Sequence, residues 1–236
     1  MSYCVEYKDI GRKDYKETWD LQADIFNKLV ESKKETGREE EIRQNELPGT
    51  LIFVEHPHVY TLGKSGSEKN LLIDAFQLKS GDAAYYRIDR GGDITYHGPG
   101  QIVGYPIFDL EKIGIGMREY ISGIEEAVIR TVDMFGLKAG RLEGATGVWL
   151  GAGSGNKPLK ICAIGVKASR YVTMHGFAFN VNTDLSYFNF INPCGFTDKG
   201  VTSLQKETGE IHDMDYVKQL VRNNLREVFD LEWIKT

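Results

Sequence analysis

Residues 85–108 read YYRIDRGGDITYHGPGQIVGYPIF, three strand-like runs separated by two glycine-containing joints. The runs cover 85–89, 93–96 and 101–108, and the joints are RGG at 90–92 and HGPG at 97–100. Glycine and proline supply turn dihedral angles that β-branched residues adopt only at a cost. The stretch therefore predicts glycine-punctuated strands and loops at the edge of a sheet.

The flanking sequence extends this pattern into a mixed fold. Apolar or alternating runs predict further strands at 5–10, 50–55, 146–150, 159–166 and 174–181, with 59–62 continuing the strand at 50–55. Apolar residues at helical spacing predict helices at 15–34, 117–135 and 215–229. No internal repeat or low-complexity linker divides the chain. We therefore expect an α/β (α+β) fold, a mixed and largely antiparallel sheet flanked by helices.

Composition limits the class of protein further. The chain has 236 residues, 41% apolar and 27% charged, which is enough to bury a core and is compatible with one domain over 1–236. Residues 31–47 are almost all polar and predict a charged surface insertion. The net charge, 29 − 34 = −5, gives no basic field for nucleic acid. No secretion signal or 18-residue apolar run is found, so we expect a cytoplasmic protein without a membrane segment.

The cysteines and histidines argue against a disulfide framework or a metal site. Cys4, Cys162 and Cys194 are odd in number and widely spaced, which favours a reducing compartment. His56 and His58 have no third and fourth ligand at a suitable spacing, so no metal is expected.

Cys194 is the candidate nucleophile, although a lone cysteine is more often an inert buried side chain. Proline precedes it and glycine follows it, in a polar loop that suits an acyl-accepting thiol. Such a thiol needs a nearby cation or base. The candidates are Lys160, His97, His175, Lys167 and Lys199, and for each of them an ordinary structural role stays open.

The segment RGGDITYHGPGQ at 90–101 closely resembles the signature of lipoyl(octanoyl) transferases, the octanoyl-carrier-protein:protein N-octanoyltransferases of lipoate biosynthesis. Further blocks agree in order: EHP at 55–57, VYTLG at 59–63, GVW at 147–149, KI at 160–161, AIGV at 163–166, HGF at 175–177, NPCG at 192–195 and VTSL at 201–204. The match covers about residues 50–204. His58 and Cys162 depart from the usual pattern.

The resemblance implies a domain similar to the catalytic domain of biotin and lipoate protein ligases. Cys194 would take octanoate from acyl carrier protein as a thioester, and Lys160 would lower the thiol pKa and move protons. An acyl site would be lined by Arg90, Gly91, Gly92, Asp93, Ile94, Thr95, Tyr96, His97, Ala163, Ile164, Gly165, Gly176, Phe177 and Ala178. Tyr85, Tyr96 and Phe177 are the candidates for the walls of an acyl tunnel. No ATP, other cofactor or metal is expected.

The implied partners are octanoyl-acyl carrier protein as donor, and as acceptors the lipoyl domains of 2-oxoacid dehydrogenases and the glycine cleavage H protein. Because such carriers are usually acidic and this chain is itself acidic, docking would use local cations, among them Lys64, Lys69, Lys167 or Arg170. Three alternatives stay open. They are an ATP-dependent lipoate ligase on the same scaffold, a cysteine hydrolase or amidase using His97 or His175, and a carrier-binding protein without catalysis.

Overall fold

The computed structural model describes residues 2–34, 47–73, 78, 82–153, 157–192 and 199–234. Most of the charged insertion predicted at 31–47 lies outside these ranges. Residues 154–156 and 193–198 also lie outside them, and the second of these segments contains Cys194.

The described part of the chain contains strands and helices in an irregular order. The strands are β1 (Tyr3–Arg12), β2 (Gly49–Glu55), β3 (Val59–Leu62), β4 (Ala84–Arg87), β5 (Ile94–His97), β6 (Gln101–Phe108), β7 (Ala139–Leu142), β8 (Ala145–Leu150), β9 (Leu159–Ser169), β10 (Val172–Asn180), β11 (Gly200–Val201) and β12 (Leu231–Ile234). The helices are α1 (Tyr15–Ser32), α2 (Leu110–Ile113), α3 (Met117–Asp133), α4 (Leu204–Thr208) and α5 (Met214–Phe229). Short 3₁₀ helices cover Glu68–Asn70 and Leu185–Phe190.

The larger sheet has the order β12-β1-β2-β6-β10-β9-β8-β7, with β11 also paired to β9. From β2 to β7 every neighbouring pair is antiparallel, whereas β12, β1 and β2 run parallel to one another. The fold class expected from the sequence is therefore confirmed. The parallel edge was not part of that expectation.

Both faces of the central strands are buried, and this explains their nearly continuous apolar sequence. On β2, Leu51 and Phe53 face a core closed by α3 and α5, while Ile52 and Val54 face the opposite core beneath α1. Alternate side chains of a strand point to opposite faces, so one run of residues supplies two cores. Within the described helices, none is both long and apolar enough to cross a membrane.

The prediction that 59–62 continues the preceding strand is wrong. Val59–Leu62 instead forms the centre of a second sheet with the order β4-β3-β5. The chain turns at His56, whose Nδ1 lies 2.8 Å from the Lys13 carbonyl oxygen and whose Nε2 lies 2.9 Å from the Tyr105 hydroxyl. Pro57 follows and cannot donate to a strand ladder. Residues 90–97 belong to this second sheet or its loop, and the loop contacts strand β9 of the larger sheet.

The three predicted helices are observed with slightly different ends. The Asp14 carboxylate accepts hydrogen bonds from the backbone N–H groups of Lys16 and Glu17, which fixes the start of α1. Asp213 caps α5 in the same way. The second predicted helix, 117–135, ends at Asp133, two residues early, and the chain then turns at Gly136 with φ +76°.

Candidate active site

A cavity of about 470 Å³ lies where the 90–95 loop crosses β9. Its walls contain Arg90, Gly91, Gly92, Asp93, Ile94, Thr95, Lys160, Ala163, Ile164, Gly165 and Ala178, all of which the sequence proposed for the site. Pockets of about 300–1,000 Å³ are the usual size for small-molecule sites. The structure therefore brings most of the proposed residues around one concave space of suitable size.

The cavity also has walls that the sequence did not indicate. These additional residues include Gln101, Ile121, Thr146, Asn180, Phe188 and Val201. They come from six separate segments, and only tertiary packing brings them together. Tyr85, Tyr96 and Phe177, the candidates for the acyl-tunnel walls, are not among the described lining residues of this cavity.

The loop at 90–92 lies directly against β9 because glycine leaves room for the contact. A Cβ on Gly165 would lie 2.9 Å from the Gly91 carbonyl oxygen and 3.1 Å from Cδ of Arg90. The Gly91 N–H donates to the Val166 carbonyl across 2.9 Å. Any larger residue at 165 would push the loop off the strand, so this glycine shapes the cavity wall.

Arg90 is a buried cation at the cavity wall. Its side chain donates from Nη2 to the Thr61 carbonyl and hydroxyl at 2.7 and 3.0 Å, and from Nη1 to the Gly91 carbonyl at 3.0 Å. The residue as a whole is 8% exposed. These bonds fix the guanidinium between β3 and the glycine turn, where it stiffens the loop that carries Asp93.

Asp93 connects this loop to the chain that leads toward Cys194. Its Oδ1 accepts from the Ile94 N–H at 2.7 Å, and its Oδ2 accepts from Asn70 Nδ2 at 2.5 Å. The Asn70 carbonyl in turn accepts from the Asn192 N–H at 2.8 Å. Leu71 and Ile191 form an adjacent β-bridge. Asn192 is the last described residue before the gap that contains Cys194.

Lys160 is placed by an irregular hairpin. Trp149 on β8 pairs with Lys160, but Val148 pairs with Cys162, so Ile161 is one extra residue on β9. Such a β-bulge re-aims the neighbouring side chains and is common beside active sites. The Lys160 ammonium lies over the Trp149 indole, with Nζ 4.6 Å from the ring centroid.

The chain after the Cys194 gap pairs with the same part of β9. Gly200 pairs with Leu159 and Val201 with Lys160, and the Thr202 N–H donates to the Lys160 carbonyl at 3.0 Å. Val201 also lines the cavity. Val201 is thus held beside Lys160 on the cavity wall, and Asn192 is held next to Asn70, the hydrogen-bond partner of the cavity residue Asp93.

A buried chain of hydrogen bonds through His97, Gln101 and Asn180 holds the segment after β11 in place. His97 Nδ1 lies 2.9 Å from Gln101 Oε1, and Gln101 Nε2 donates to Asn180 Oδ1 at 2.9 Å. Asn180 Nδ2 then donates to the Thr202 carbonyl at 2.9 Å. A fully bonded buried network of this kind holds its members in one arrangement. It connects the histidine of the HGPG joint to the strand beside Lys160.

Tyr96 and His97 lie behind the cavity rather than on its described walls. Strand alternation turns Thr95 toward the cavity and Tyr96 into the core of the second sheet, where its ring stacks on Tyr187 at 4.9 Å. Burial lowers the pKa of His97 to about 3. The imidazole is therefore neutral near pH 7 and serves as a hydrogen-bonding group.

Gly176, Phe177 and His175 line a smaller void of about 40 Å³ deeper in the sheet. His175 pairs with Val166, six positions along β9 from Lys160, or about 20 Å. Its Nε2 lies 3.0 Å from Asp89 Oδ1. The structure thus places His175 and the Gly176-Phe177 pair away from the Lys160 end of the cavity.

Cys194, the proposed nucleophile, lies outside the described residues. Of the other two cysteines, Cys4 is exposed and Cys162 is fully buried. Desolvation raises the pKa of the Cys162 thiol, so this thiol is not an available nucleophile. Within the described part of the chain, no three His, Cys, Asp or Glu side chains are grouped to hold a metal ion.

The proposed docking cations divide into two groups. Lys64 and Lys69 are exposed beside the cavity loop, with the Lys64 N–H donating to the Arg90 carbonyl and Lys69 preceding Asn70. Lys167 and Arg170 lie at the opposite end of β9, where Lys167 Nζ bonds to Asp89 Oδ2 at 2.5 Å. The first pair belongs to the segments that contact the cavity loop, whereas the Lys167 ammonium lies over the Phe26 ring of α1.

Comparison with known proteins places this site in a family. Residues 14–226 match the model of the lipoyl protein ligase A/B catalytic domain. A protein of Flavobacterium johnsoniae named octanoyltransferase is 52% identical over 98% of this chain and 99% of its own length. A protein of the same name from Bacteroides fragilis is 56% identical over 89% of this chain and 91% of its own.

Among solved structures, the bipartite lipoate protein ligase of Thermoplasma acidophilum superposes with a TM-score of 0.69. It shares 15% identity, and the match covers 100% of this chain and 86% of that one. At this identity the likeness concerns the fold alone. The sequence relatives and the family model decide the membership: the chain belongs to the lipoyl protein ligase A/B catalytic-domain family, and its close relatives there are octanoyltransferases.

Proposed function

We propose that this enzyme transfers an octanoyl group from octanoyl-acyl carrier protein to a lysine of lipoyl domains, through a thioester on Cys194. The acceptors are the lipoyl domains of 2-oxoacid dehydrogenases and the glycine cleavage H protein. The names of the relatives support octanoyl transfer. The rest is supported by two contacts: Val201 pairs with Lys160 at the cavity, and Asn192 bonds to Asn70, the partner of the cavity residue Asp93.

The first half-reaction exchanges one thioester for another. The Cys194 thiolate attacks the octanoyl carbonyl carbon, forming a C–S bond and a tetrahedral oxyanion. The oxyanion collapses, and the C–S bond to the carrier's phosphopantetheine breaks. The leaving sulfur takes a proton from the Lys160 ammonium, which becomes a neutral amine. Because the acyl bond stays activated, this step needs no nucleotide.

The second half-reaction forms an amide. The neutral Lys160 amine takes a proton from the ammonium group of the acceptor lysine, which makes that nitrogen nucleophilic. Its attack on the thioester forms a C–N bond and breaks the C–S bond to Cys194. The Cys194 thiolate and the Lys160 ammonium are restored, and the second proton of the acceptor nitrogen is released to water.

The acyl chain is held by apolar contact. Ile94, Ala163, Ile164 and Ala178 supply apolar surface on the cavity walls. Each buried methylene contributes about 0.8 kcal/mol, so a chain that fills the cavity binds more tightly than a shorter one. Small residues on β9 and β10 leave the space that the chain occupies.

The donor docks at the side of the cavity that carries Lys64 and Lys69. An acidic carrier brought to this rim would present its thioester over the 90–95 loop. Lys167 and Arg170 lie seven and ten positions after Lys160 in the chain, over about 20 Å along the hairpin, and do not take part.

The experiment that tests this function is intact-protein mass spectrometry after mixing with octanoyl-acyl carrier protein and no ATP. Wild type should gain one octanoyl mass that hydroxylamine removes. Cys194→Ala should gain none, while Cys4→Ser, the matched change at an exposed cysteine away from the cavity, should behave as wild type. Addition of a lipoyl domain should move the mass to that domain.

Other outcomes identify the alternatives. Transfer by Cys194→Ser that requires ATP would replace the proposal with a lipoate ligase. Octanoate released to water faster than it reaches the lipoyl domain would indicate a hydrolase. Carrier binding without any adduct on wild type would indicate a binding protein.

A further inference from the structure

Trp149 is placed directly beneath the Lys160 ammonium. The two residues are opposite each other on antiparallel strands β8 and β9, and opposite residues project from the same face of a sheet. Lys160 Nζ lies 4.6 Å from the indole centroid, within the range for an attractive cation–π contact. Trp149 itself is 2% exposed and is not among the described residues that line the cavity.

The indole is fixed in this position. Its Nε1–H donates to the Ala145 carbonyl across 2.9 Å, a bond within the same strand region. On the other side of β8, Trp149 pairs with Gly140 of β7, which has no side chain. The ring is therefore held by its hydrogen bond and by the burial of nearly all of its surface.

Gly147 allows β8 to lie close to the backbone of β9 beside the stem of Lys160. A Cβ at this position would lie 2.6 Å from the Cys162 carbonyl oxygen and 3.4 Å from Cε of Lys160. Gly147 has φ +128°, and its N–H donates to Glu125 Oε1 at 3.0 Å. The glycine is thus held in a conformation that side chains avoid, beside the stem of Lys160.

We propose that Trp149 is a positioning residue, which holds the Lys160 side chain at the cavity and stabilises its ammonium form. The inference rests on the proposed function for the role of Lys160 in catalysis. The new element is that the Trp149 ring stabilises the Lys160 ammonium from the side away from the cavity and does not contact the acyl chain.

Several other charged groups surround this lysine and stay the same when the ring is changed. From the cavity loop come Arg90 and Asp93, and from α3 and β7 come Glu125 and Arg141, which are joined by a 3.1 Å bond. Cys162 lies two residues along β9, and Lys199 precedes β11. A shift in the Lys160 titration midpoint after replacement of Trp149 can therefore be attributed to loss of the indole ring.

The test measures the protonation of Lys160 directly, by NMR of lysine side chains labelled with ¹³C and ¹⁵N and assigned with Lys160→Arg. In Trp149→Leu the midpoint of the Lys160 titration should shift down by roughly 0.5 to 1 pH unit, since a partly buried cation–π contact is lost. Trp149→Phe should give a smaller shift. Phe26→Leu removes the ring 4.9 Å from Lys167 Nζ and should leave Lys160 unchanged.

A second measurement follows the rate of thioester formation. Trp149→Leu should form the adduct about 10-fold more slowly at pH 7, with a changed pH profile, and Trp149→Phe should recover most of the rate. If Trp149→Leu does not fold, 5-fluorotryptophan in the wild-type chain weakens the ring's attraction without changing its shape. Its control is the same labelling of Trp149→Phe, where Lys160 should not respond.

An unchanged Lys160 midpoint in both Trp149→Leu and the fluorinated protein would overturn the inference, whatever the transfer rate. Failure of the proposed function looks different, because wild type would then form no thioester while the Lys160 titration still responded to the ring.

Discussion

Two lysines on one strand, Lys160 and Lys167, make the same contact and have different surroundings. Each ammonium lies over an aromatic ring, at 4.6 Å from the Trp149 centroid and 4.9 Å from that of Phe26. Lys167 also bonds to the half-exposed Asp89 carboxylate at the surface beside α1. Lys160 borders the cavity of about 470 Å³. We therefore expect the space in front of each ammonium to decide whether the lysine serves the fold or the reaction.

The two lysines should differ most in how much their replacement by alanine slows thioester formation. We expect Lys160→Ala to slow thioester formation on Cys194 by at least about 100-fold at pH 7, as for loss of a positioned acid or base. Lys167→Ala should stay within about three-fold of wild type in the same single-turnover measurement. Higher pH should partly restore Lys160→Ala, because hydroxide then generates the thiolate. Equal losses in both variants would remove the distinction between the two ends of β9.

A second way to test the comparison is to disturb the backbone contact between Gly147 and Cys162, which lies beside the stem of Lys160. Gly147→Ala forces a Cβ to 2.6 Å from the Cys162 carbonyl at φ +128°. We expect a loss of about 2 kcal/mol in the free energy of unfolding and a transfer rate about 10-fold lower. Gly136→Ala, also at positive φ but with no atom within 4 Å of its Cβ, should cost about 1 kcal/mol and leave the rate unchanged. Urea denaturation and single-turnover assays give both quantities.

The surface charges at the two ends of the strand offer a third test. Lys64→Glu with Lys69→Glu should lower the second-order rate with the acidic carrier by about 10-fold at low salt and flatten its salt dependence. Arg170→Glu, at the far end of the β9–β10 hairpin, should change neither. If 0.5 M salt leaves the wild-type rate unaffected, long-range attraction does not guide the donor.

The smallest effect is expected at the Asp89 partner of Lys167. The hydrogen bond from His175, followed by the bond from Lys167, lowers the pKa of the Asp89 carboxyl well below its ordinary value. A lowered folded-state pKa stabilises the protein above the unfolded value, near 4, and the contribution disappears as the pH falls below it. Asp89→Asn should therefore cost about 1 kcal/mol or less at pH 7, because the group is half exposed.

Urea melts of wild type and Asp89→Asn at pH 7 and pH 3 measure this contribution. The difference in free energy of unfolding between the two proteins should be smaller at pH 3 than at pH 7. A difference that stayed constant would mean that the carboxylate charge contributes nothing to stability.

Several parts of the fold followed from the sequence because they depend on local pattern. The apolar run at 50–55 and the helical spacing at 117–135 were sufficient to predict β2 and most of α3. Strand β11 is two residues long, and β12 pairs with β1 across more than 200 residues. Neither has enough local signal to be recognised. Val59–Leu62 joined a second sheet because pairing partners are set by tertiary packing.

The site shows the same division between local and non-local information. The sequence predicted that the glycine-rich loop and the AIG block line the acyl site. Gln101 and Asn180 also line the cavity, but only the tertiary packing brings them there. A signal for Trp149 did exist. A hairpin turn over 151–158 pairs Leu150 with Leu159 and therefore Trp149 with Lys160, as observed. Cys194 remains a prediction.

The fastening of the Cys194 segment at both ends has an evolutionary consequence. Asn192 is tied to Asn70 on the side of the small sheet, and Val201 is tied to Lys160 on the large one. Eight residues separate these two anchored positions in the sequence, so an insertion or deletion between them would have to be accommodated without moving either anchor. Length variation among relatives should therefore accumulate in the polar stretch after α1 and spare the interval between these two anchors.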